Sequence, residues 1–266
     1  MAANETKISR IMSSCYTNMS HEGEHFIPDH RFILQVSGEL TVQDGRESYV
    51  FGPGHFRFSR RNHLARFVKQ PPAGGAFEAF GVLLDQETLR RMSHELGLQA
   101  SGNFEGPPML KLEAHELYGN YFRSLQPYLD METAANDPLL EVKVREAVLI
   151  LLRTQPWLKD VLFDFTEPGK INLEEFMHSH FHFNVSMERF AYLTGRSLAT
   201  FKRDFEKTFH TTPSRWLQQK RLEQAWHLIH DKRRKPSDVY LEVGFEDLSH
   251  FSFAFKKAFG TAPSRV

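Results

Sequence analysis

The sequence predicts an α+β chain in two parts, a strand-rich first half with flanking helices and an all-helical second half. Three observations carry this reading. Short β-branched and aromatic runs, broken by glycine turns, occupy the stretch before residue 90. Apolar spacing then switches from period two to helical period. Near the end, one segment returns at an offset of 50 residues.

The strand runs are Phe32–Val36, Glu39–Val42, Ser48–Phe51, His55–Phe58 and Ala76–Leu83, with Ser37-Gly38, Asp44-Gly45 and Gly52-Pro53-Gly54 as turns. Strands this short and this regularly spaced predict a small sandwich or barrel. Helical spacing follows over Gln86–Leu96, Glu113–Leu129 and Leu139–Leu152, and residues 97–110 read as a loop. The best boundary is Thr166-Glu167-Pro168-Gly169-Lys170, which gives domains of 1–166 and 171–266.

Apolar residues make up 41% of the chain and charged residues 25%, so both parts have material for a core. Cys15 is the only cysteine, which excludes an internal disulfide and points to a reducing compartment. The first residues show no apolar signal core and no run approaches a membrane span, so a cytoplasmic protein with no membrane partner is expected. The formal net charge of zero conceals an asymmetry. Residues 170–266 hold 16 Lys/Arg against 11 Asp/Glu, while residues 1–169 hold 17 against 22. A basic half beside an acidic half fits one domain meeting a polyanion, although chance unevenness gives the same figures.

The repeat is more specific. LATFKRDFEKTFHTTPSR (198–215) lies over LSHFSFAFKKAFGTAPSR (248–265) with nine of 18 positions identical. In each copy a helical face forms, from Leu198, Phe201, Phe205 and Phe209 in the first and their counterparts in the second. A shorter helix and a glycine turn precede each, opening at Ser186 and at Pro236. Helix, glycine turn, helix is the helix-turn-helix pattern, here about 184–209 and 236–259, joined by one helix over 213–230.

Residues 171–266, through NVSMERFAYLTGRSLATFKRDFEKTFHTTPSRWLQQKRLEQAWHLI and VGFEDLSHFSFAFKKAFGTAPS, resemble the DNA-binding domain of AraC/XylS-type transcription regulators. The resemblance implies two helix-turn-helix units on a long linking helix, and it implies duplex promoter DNA as the partner. It places the base-contacting positions of the first recognition helix on Ala199, Lys202 and Arg203. The residues agree, because burying Leu198, Phe201 and Phe205 leaves Ala199, Lys202, Arg203 and Glu206 on the opposite face. The matching face of the second helix carries Ser249, Ser252, Phe253 and Lys256, with His250 near its start. Lys or Arg pairs with guanine, and Ala or Phe packs on a thymine methyl. The plain alternative for each is a solvated helix face. Lys207, Arg215, Arg221, Lys256 and Lys257 are expected to touch phosphate. The position of Phe253 is often Arg in this family, so the first helix is expected to discriminate more than the second.

Residues 15–90, including GPGHFRFSRRN, resemble the cupin-like sensory domains that precede such DNA-binding domains. That implies a β-barrel with an effector (small molecule or protein) bound there. Dimerisation is expected along the Leu140, Val144, Val148 and Leu152 face, which carries more apolar surface than a lone exposed helix should, and packing of that face onto its own barrel is the equal alternative. A metal-binding cupin needs a His-x-His pair with a later carboxylate and His. His25, His30 and His55 do not supply it, and the helix-spaced His178 and His182 lack the adjacent Glu of a zincin. No acyl-transfer or nucleotide motif occurs, so no catalytic residue, metal or cofactor is expected. The leading expectation is an effector-controlled transcription regulator, chiefly an activator, working with RNA polymerase. Two alternatives stand beside it: a cupin-type metalloenzyme with a DNA-binding appendage, and a DNA-binding protein whose first half only dimerises.

Overall fold

The structure, a computed structural model, describes residues 10–18, 20–102, 104–129 and 137–266, without the side chains of residues 20–25. His25, one of the histidines weighed as a ligand, therefore lies outside the described side chains.

Two antiparallel sheets build the N-terminal part. The first contains β1 (Ile11–Tyr16), β3 (His30–Ser37), β6 (Phe56–Ser59), β8 (Phe77–Leu84) and β9 (Met109–Leu112), in the order β1-β8-β3-β6-β9. The second contains β2 (Ser20–Ile27), β4 (Glu39–Gln43), β5 (Ser48–Phe51) and β7 (His63–Gln70), in the order β2-β7-β4-β5. Among the described residues these are two separate ladders, and the closed barrel expected from the sequence does not form. Alternating side chains give each strand of the first sheet two working faces. On β3, Phe32 and Leu34 face one way while Ile33 packs the other, between the sheets with Leu40, Val42, Phe51, Phe67 and Phe77.

The face bearing Phe32, Phe56, Phe58, Phe80 and Val82 is covered by helices. These are α1 (Gln86–Leu96), α2 (Glu116–Leu125), α3 (Pro138–Thr154) and the single turn α4 (Lys159–Leu162). Asp85 caps α1 by accepting from Thr88 N, and Gly97 closes it in the left-handed region. Sheet, sheet and helices thus form three layers around two apolar cores. Leu140, Val144 and Val148 of α3 are wholly buried, Val144 and Val148 in the helix-covered core, and Leu152 packs against that core. The dimerisation face expected from those four residues is the helix's internal face. The exposed apolar residues of α3 are Leu139, Val142 and Leu149, three, seven and ten residues apart along the other side.

Everything after residue 170 is helix and turn. The elements are α5 (Leu173–His180), α6 (Met187–Leu193), α7 (Leu198–Phe209), α8 (Pro213–Trp226), α9 (Pro236–Glu242) and α10 (Leu248–Phe259). A π-helical turn, His227–Asp231, extends α8 to the length expected of the linking helix. No helix of the described residues is long and apolar enough to cross a membrane.

Candidate nucleic-acid interface

Each unit is a short helix, a glycine turn and a longer helix. In the first, Ser186 caps α6 and Ser197 caps α7, each hydroxyl accepting a backbone N–H three residues on. Between them Gly195 has φ +66°, and a Cβ there would lie 2.3–2.5 Å from the Gly169 and Lys170 backbone. That contact seats the turn on the segment arriving from the N-terminal part. In the second unit Gly244 has φ +92°, and a Cβ would meet the His182 carbonyl at 2.5 Å. Both turns require glycine for shape and for space.

The two recognition helices rest on opposite ends of α8. Phe205 and Phe209 of α7 pack edge-on and tilted against Trp216 at 5.7 and 4.7 Å. Phe255 of α10 stacks on Trp226 at 5.8 Å, with Phe259 at 4.7 Å. Ten residues along one helix therefore separate the two tryptophans, each the floor of one unit. This explains why α8 buries residues all round: Trp216 and Leu217 serve the first core, Leu222 and Ala225 the second.

With Phe201 and Phe205 wholly buried, α7 leaves Ala199, Lys202, Arg203, Glu206 and Lys207 exposed. Arg203 approaches Asp204 at 3.7 Å, and its side chain is 76% exposed. Asp204 is held below the usual carboxylate range by a hydrogen bond from Arg196 and by the charge of Lys170. Arg196 donates to Asp204 Oδ2 at 3.1 Å, Ile171 O at 3.1 Å and Thr194 O at 2.7 Å, tying the start of α7 to the turn. On α10, Phe251 and Phe255 are buried while Ser249, His250, Lys256 and Lys257 are exposed. Ser252 is half-buried, whereas Phe253 is 69% exposed. Phe253 thus presents most of its surface to solvent. Arg215, at the start of α8, is exposed as well.

Arg221 is placed differently from the other cations. Its guanidinium donates to Phe181 O at 2.9 Å, Phe183 O at 2.8 Å and Gly244 O at 3.0 Å. Those carbonyls lie just past the ends of α5 and α9, where helices leave acceptors unsatisfied. Arg221 is a clamp between the two units.

The first unit also leans on the four-stranded sheet. Leu64 of β7 belongs to the same core as Phe190 and Phe201. Arg66 donates to the His182 carbonyl at 3.2 Å, Tyr192 donates to Asn62 at 3.1 Å, and the Arg189 guanidinium sits 3.7 Å from the Phe26 ring centre. The histidines at the end of α5 and just beyond it are packing groups: His180 stacks on Phe176 at 4.2 Å and His182 lies against Phe183 at 4.4 Å. Burial, aided by Arg66, His180 and Arg221, pushes the His182 imidazole down to about 3. Among the described residues no three His, Cys, Asp or Glu side chains gather closely enough to hold a metal.

Sequence reasoning found the exposed faces through the 50-residue repeat and missed the structural tasks of Arg196 and Arg221. For Arg196, directly after Gly195, a charge beside a glycine turn is the weak signal that was available, whereas Arg221, 23 residues before Gly244, carried none.

Both parts of the chain are similar to known proteins. Residues 190–266 match a helix-turn-helix domain model, and residues 30–159 match the model of the ExsA N-terminal regulatory domain. The chain is 24% identical over 257 residues to the HTH-type transcriptional regulator ExsA of Pseudomonas aeruginosa, covering 96% of this chain and 91% of that protein. It is 23% identical over 253 residues to the virulence regulon transcriptional activator VirF of Yersinia enterocolitica, covering 90% and 88%. Over 138 residues it is 30% identical to the transcriptional activator RhaS of Escherichia fergusonii, covering 52% and 47%. Among solved structures, ToxT of Vibrio cholerae is similar over 97% of both chains, with TM-score 0.47 and 13% identity.

Proposed function

Because the chain belongs to the AraC/XylS family of bacterial transcription regulators, a family of DNA-binding proteins and not of enzymes, we propose that α7 and α10 enter successive major-groove segments on one face of promoter DNA. The observation that carries this is the pair of exposed recognition faces fastened to opposite ends of α8. Ala199, Lys202 and Arg203 read bases from the first unit, and Ser249, His250, Ser252 and Phe253 from the second. Lys207, Arg215, Lys256 and Lys257 touch phosphate. Arg221 is assigned to clamping the units rather than to the phosphate contact expected of it. The regulator works in the cytoplasm as an activator, recruiting or contacting RNA polymerase, and answers to an effector at its N-terminal domain.

Hydroxyl-radical footprinting of the full chain tests the geometry. Two protected segments on one DNA face, about 34 Å apart, are expected, with affinity falling steeply as salt rises. A single protected segment would reject the arrangement.

Self-association is proposed through the other side of α3, where Leu139, Val142 and Leu149 are at least half exposed. Sedimentation of the full chain at tens of micromolar should show a dimer that Leu149→Glu dissociates. An unchanged profile for that variant would place the contact elsewhere.

A further inference from the structure

The 50-residue offset that aligns the two recognition helices also aligns what comes before each unit. Lys232, Arg233, Arg234 and Lys235 of the second unit fall on His182, Phe183, Asn184 and Val185 of the first. In the first unit this stretch is tied into the molecule. Phe183 is wholly buried, its carbonyl accepts from Arg221, and Asn184 donates to Glu246 at 2.6 Å. In the second unit the same stretch holds four consecutive cations, of which Lys232, Arg233 and Lys235 are exposed. Packing explains the first stretch and not the second.

The basic segment is a built turn. Lys232 N–H donates to His227 O at 3.2 Å and Arg234 N–H to Leu228 O at 3.1 Å, which folds the segment back on the π-helical turn. Between them Arg233 has φ +52°, a left-handed conformation that a long side chain adopts at a cost, and its Nη1 donates to Val266 O at 3.1 Å. Arg234 pairs with Glu242 at 2.6 Å. The other nearby acids also have partners within the chain. Asp231 lies between the Nδ1 atoms of His227 and His230 at 2.6 and 2.7 Å, and Ser237 Oγ donates to Asp238 at 3.0 Å. Like charges held side by side repel, and a polyanion relieves that repulsion. Position then supplies the partner. The segment leads directly into α9, the first helix of its unit, and in a helix-turn-helix the first helix crosses the DNA backbone while the second lies in the groove. Cations arriving there meet phosphate oxygens, not base edges.

We propose that Lys232, Arg233 and Lys235 bind the phosphate backbone bordering the major groove that α10 enters. Residues 182–185 of the first unit carry no Lys or Arg for an equivalent contact. The inference rests on the reading that α10 lies in a major groove, and it gives the second unit a grip on DNA that is independent of base sequence.

The test compares the full chain with Lys232→Gln/Lys235→Gln and with a control, Lys111→Gln/Arg123→Gln, which removes two exposed cations from the N-terminal part. The probes are a duplex carrying the motif that the wild-type chain selects and a duplex of unrelated sequence. The first variant should bind both at least about tenfold more weakly, and the slope of log affinity against log salt should shrink by about two. Its selected motif and its melting temperature should be those of the wild type, since the lysines are exposed. Ethylation interference should lose one or two phosphates beside the half-site of α10 and none beside that of α7. The control should match the wild type throughout. If the double variant does not fold, Lys235→Gln alone makes the same test with about half the change in slope. The proposal falls if the slope is unchanged, if the control shrinks it equally, or if the lost phosphates lie beside the half-site of α7. It falls too if DNA binding is intact and only transcription by added RNA polymerase drops, which would give the segment to an acidic protein surface. A wild-type chain that selects no motif overturns the helix-turn-helix reading. A selected motif with a two-part footprint, beside an unchanged slope in the variant, overturns this contact alone.

Discussion

The two helix-turn-helix units share half of an 18-residue segment, yet they sit in different surroundings and show DNA different chemistry. The first is seated on the N-terminal sandwich through Leu64, Arg66 and Phe26, and its turn is pressed against Gly169. The second has its own core and reaches the first through α8 and the Arg221 clamp. The recognition face of α7 is cationic, whereas that of α10 has two serines, a histidine and an exposed phenylalanine. Duplication supplied one packing scheme twice, with a tryptophan under each recognition helix. The solvent faces, which packing does not constrain, then diverged. On the proposed reading, the first unit receives the signal from the sandwich and carries sequence discrimination, and the second adds grip.

The largest test removes the link between the units. Arg221→Ala deletes three charge-assisted hydrogen bonds and strands the carbonyls of Phe181, Phe183 and Gly244. A loss of about 2–4 kcal/mol in unfolding free energy is expected, with both half-sites weakened together. A variant of undiminished stability whose only defect is a smaller salt slope would return Arg221 to the phosphate contacts.

Next in size is the difference between the recognition faces. Arg203→Ala should cost about 1–3 kcal/mol on the preferred site and relax choice at one base position. Lys256→Ala should weaken all sequences alike and lower the salt slope by about one. In a selected binding motif the half matching α7 should be the sharper. A sharper half under α10 would reverse the comparison.

Acid should act on the first unit's seat. His182 lies at the junction, against Arg66 of the sandwich and Arg221 of α8, while His227, His230 and His250 of the second unit are exposed. Its folded-state value, about 3, is below the unfolded value near 6.5, so the unfolded chain takes up the proton first. Stability is therefore full above about pH 6.5 and is lost as pH falls toward 3, by up to about 1.4 kcal/mol per pH unit for this one group. His182→Gln should flatten the pH dependence of urea unfolding between pH 6.5 and 4.5. An unaltered slope would shift the effect to His30 and His63, whose imidazoles burial also pushes down to about 3.

The helical half was legible in the sequence because its repeat fixed which phenylalanines share a face, and a face once buried defines the one left over. The sandwich was less legible for a physical reason. Arg31, Arg57 and Lys69 point inward, and a buried cation looks like a surface residue in a string of letters. Lys69 and Arg66 together mask β7, and the loop expected over 97–110 hides the start of β9 behind Pro107-Pro108. Strand runs also do not say how sheets close. Whether nine strands make one barrel or two ladders depends on pairings between distant residues, which local pattern does not encode. The intrachain bonds of Arg196 and Arg221 were hidden on similar grounds, since carbonyls at helix ends appear only once the helices are placed.

The smallest effect isolates one side chain of the second unit. At 69% exposure, Phe253 is the most exposed of the large apolar residues described, and it sits where the first unit has Arg203. It offers no hydrogen bond, so its use against DNA is contact with a thymine methyl. Phe253→Ala should leave stability within about 0.5 kcal/mol, because most of the side chain is already in solvent. Affinity should fall by about 1 kcal/mol on sites with thymine at the contacted position and remain unchanged on sites without it. Phe253→Arg gives the reciprocal result, since a guanidinium at that position can pair with guanine. That variant should shift the second half of the selected motif from a weak thymine preference to a firm guanine and bring the two halves closer in sharpness. If the second half stays equally blurred with phenylalanine, alanine or arginine at 253, α10 does not read bases at this position. The unequal duties of the two units would then rest on how α10 is seated, not on which residues it presents.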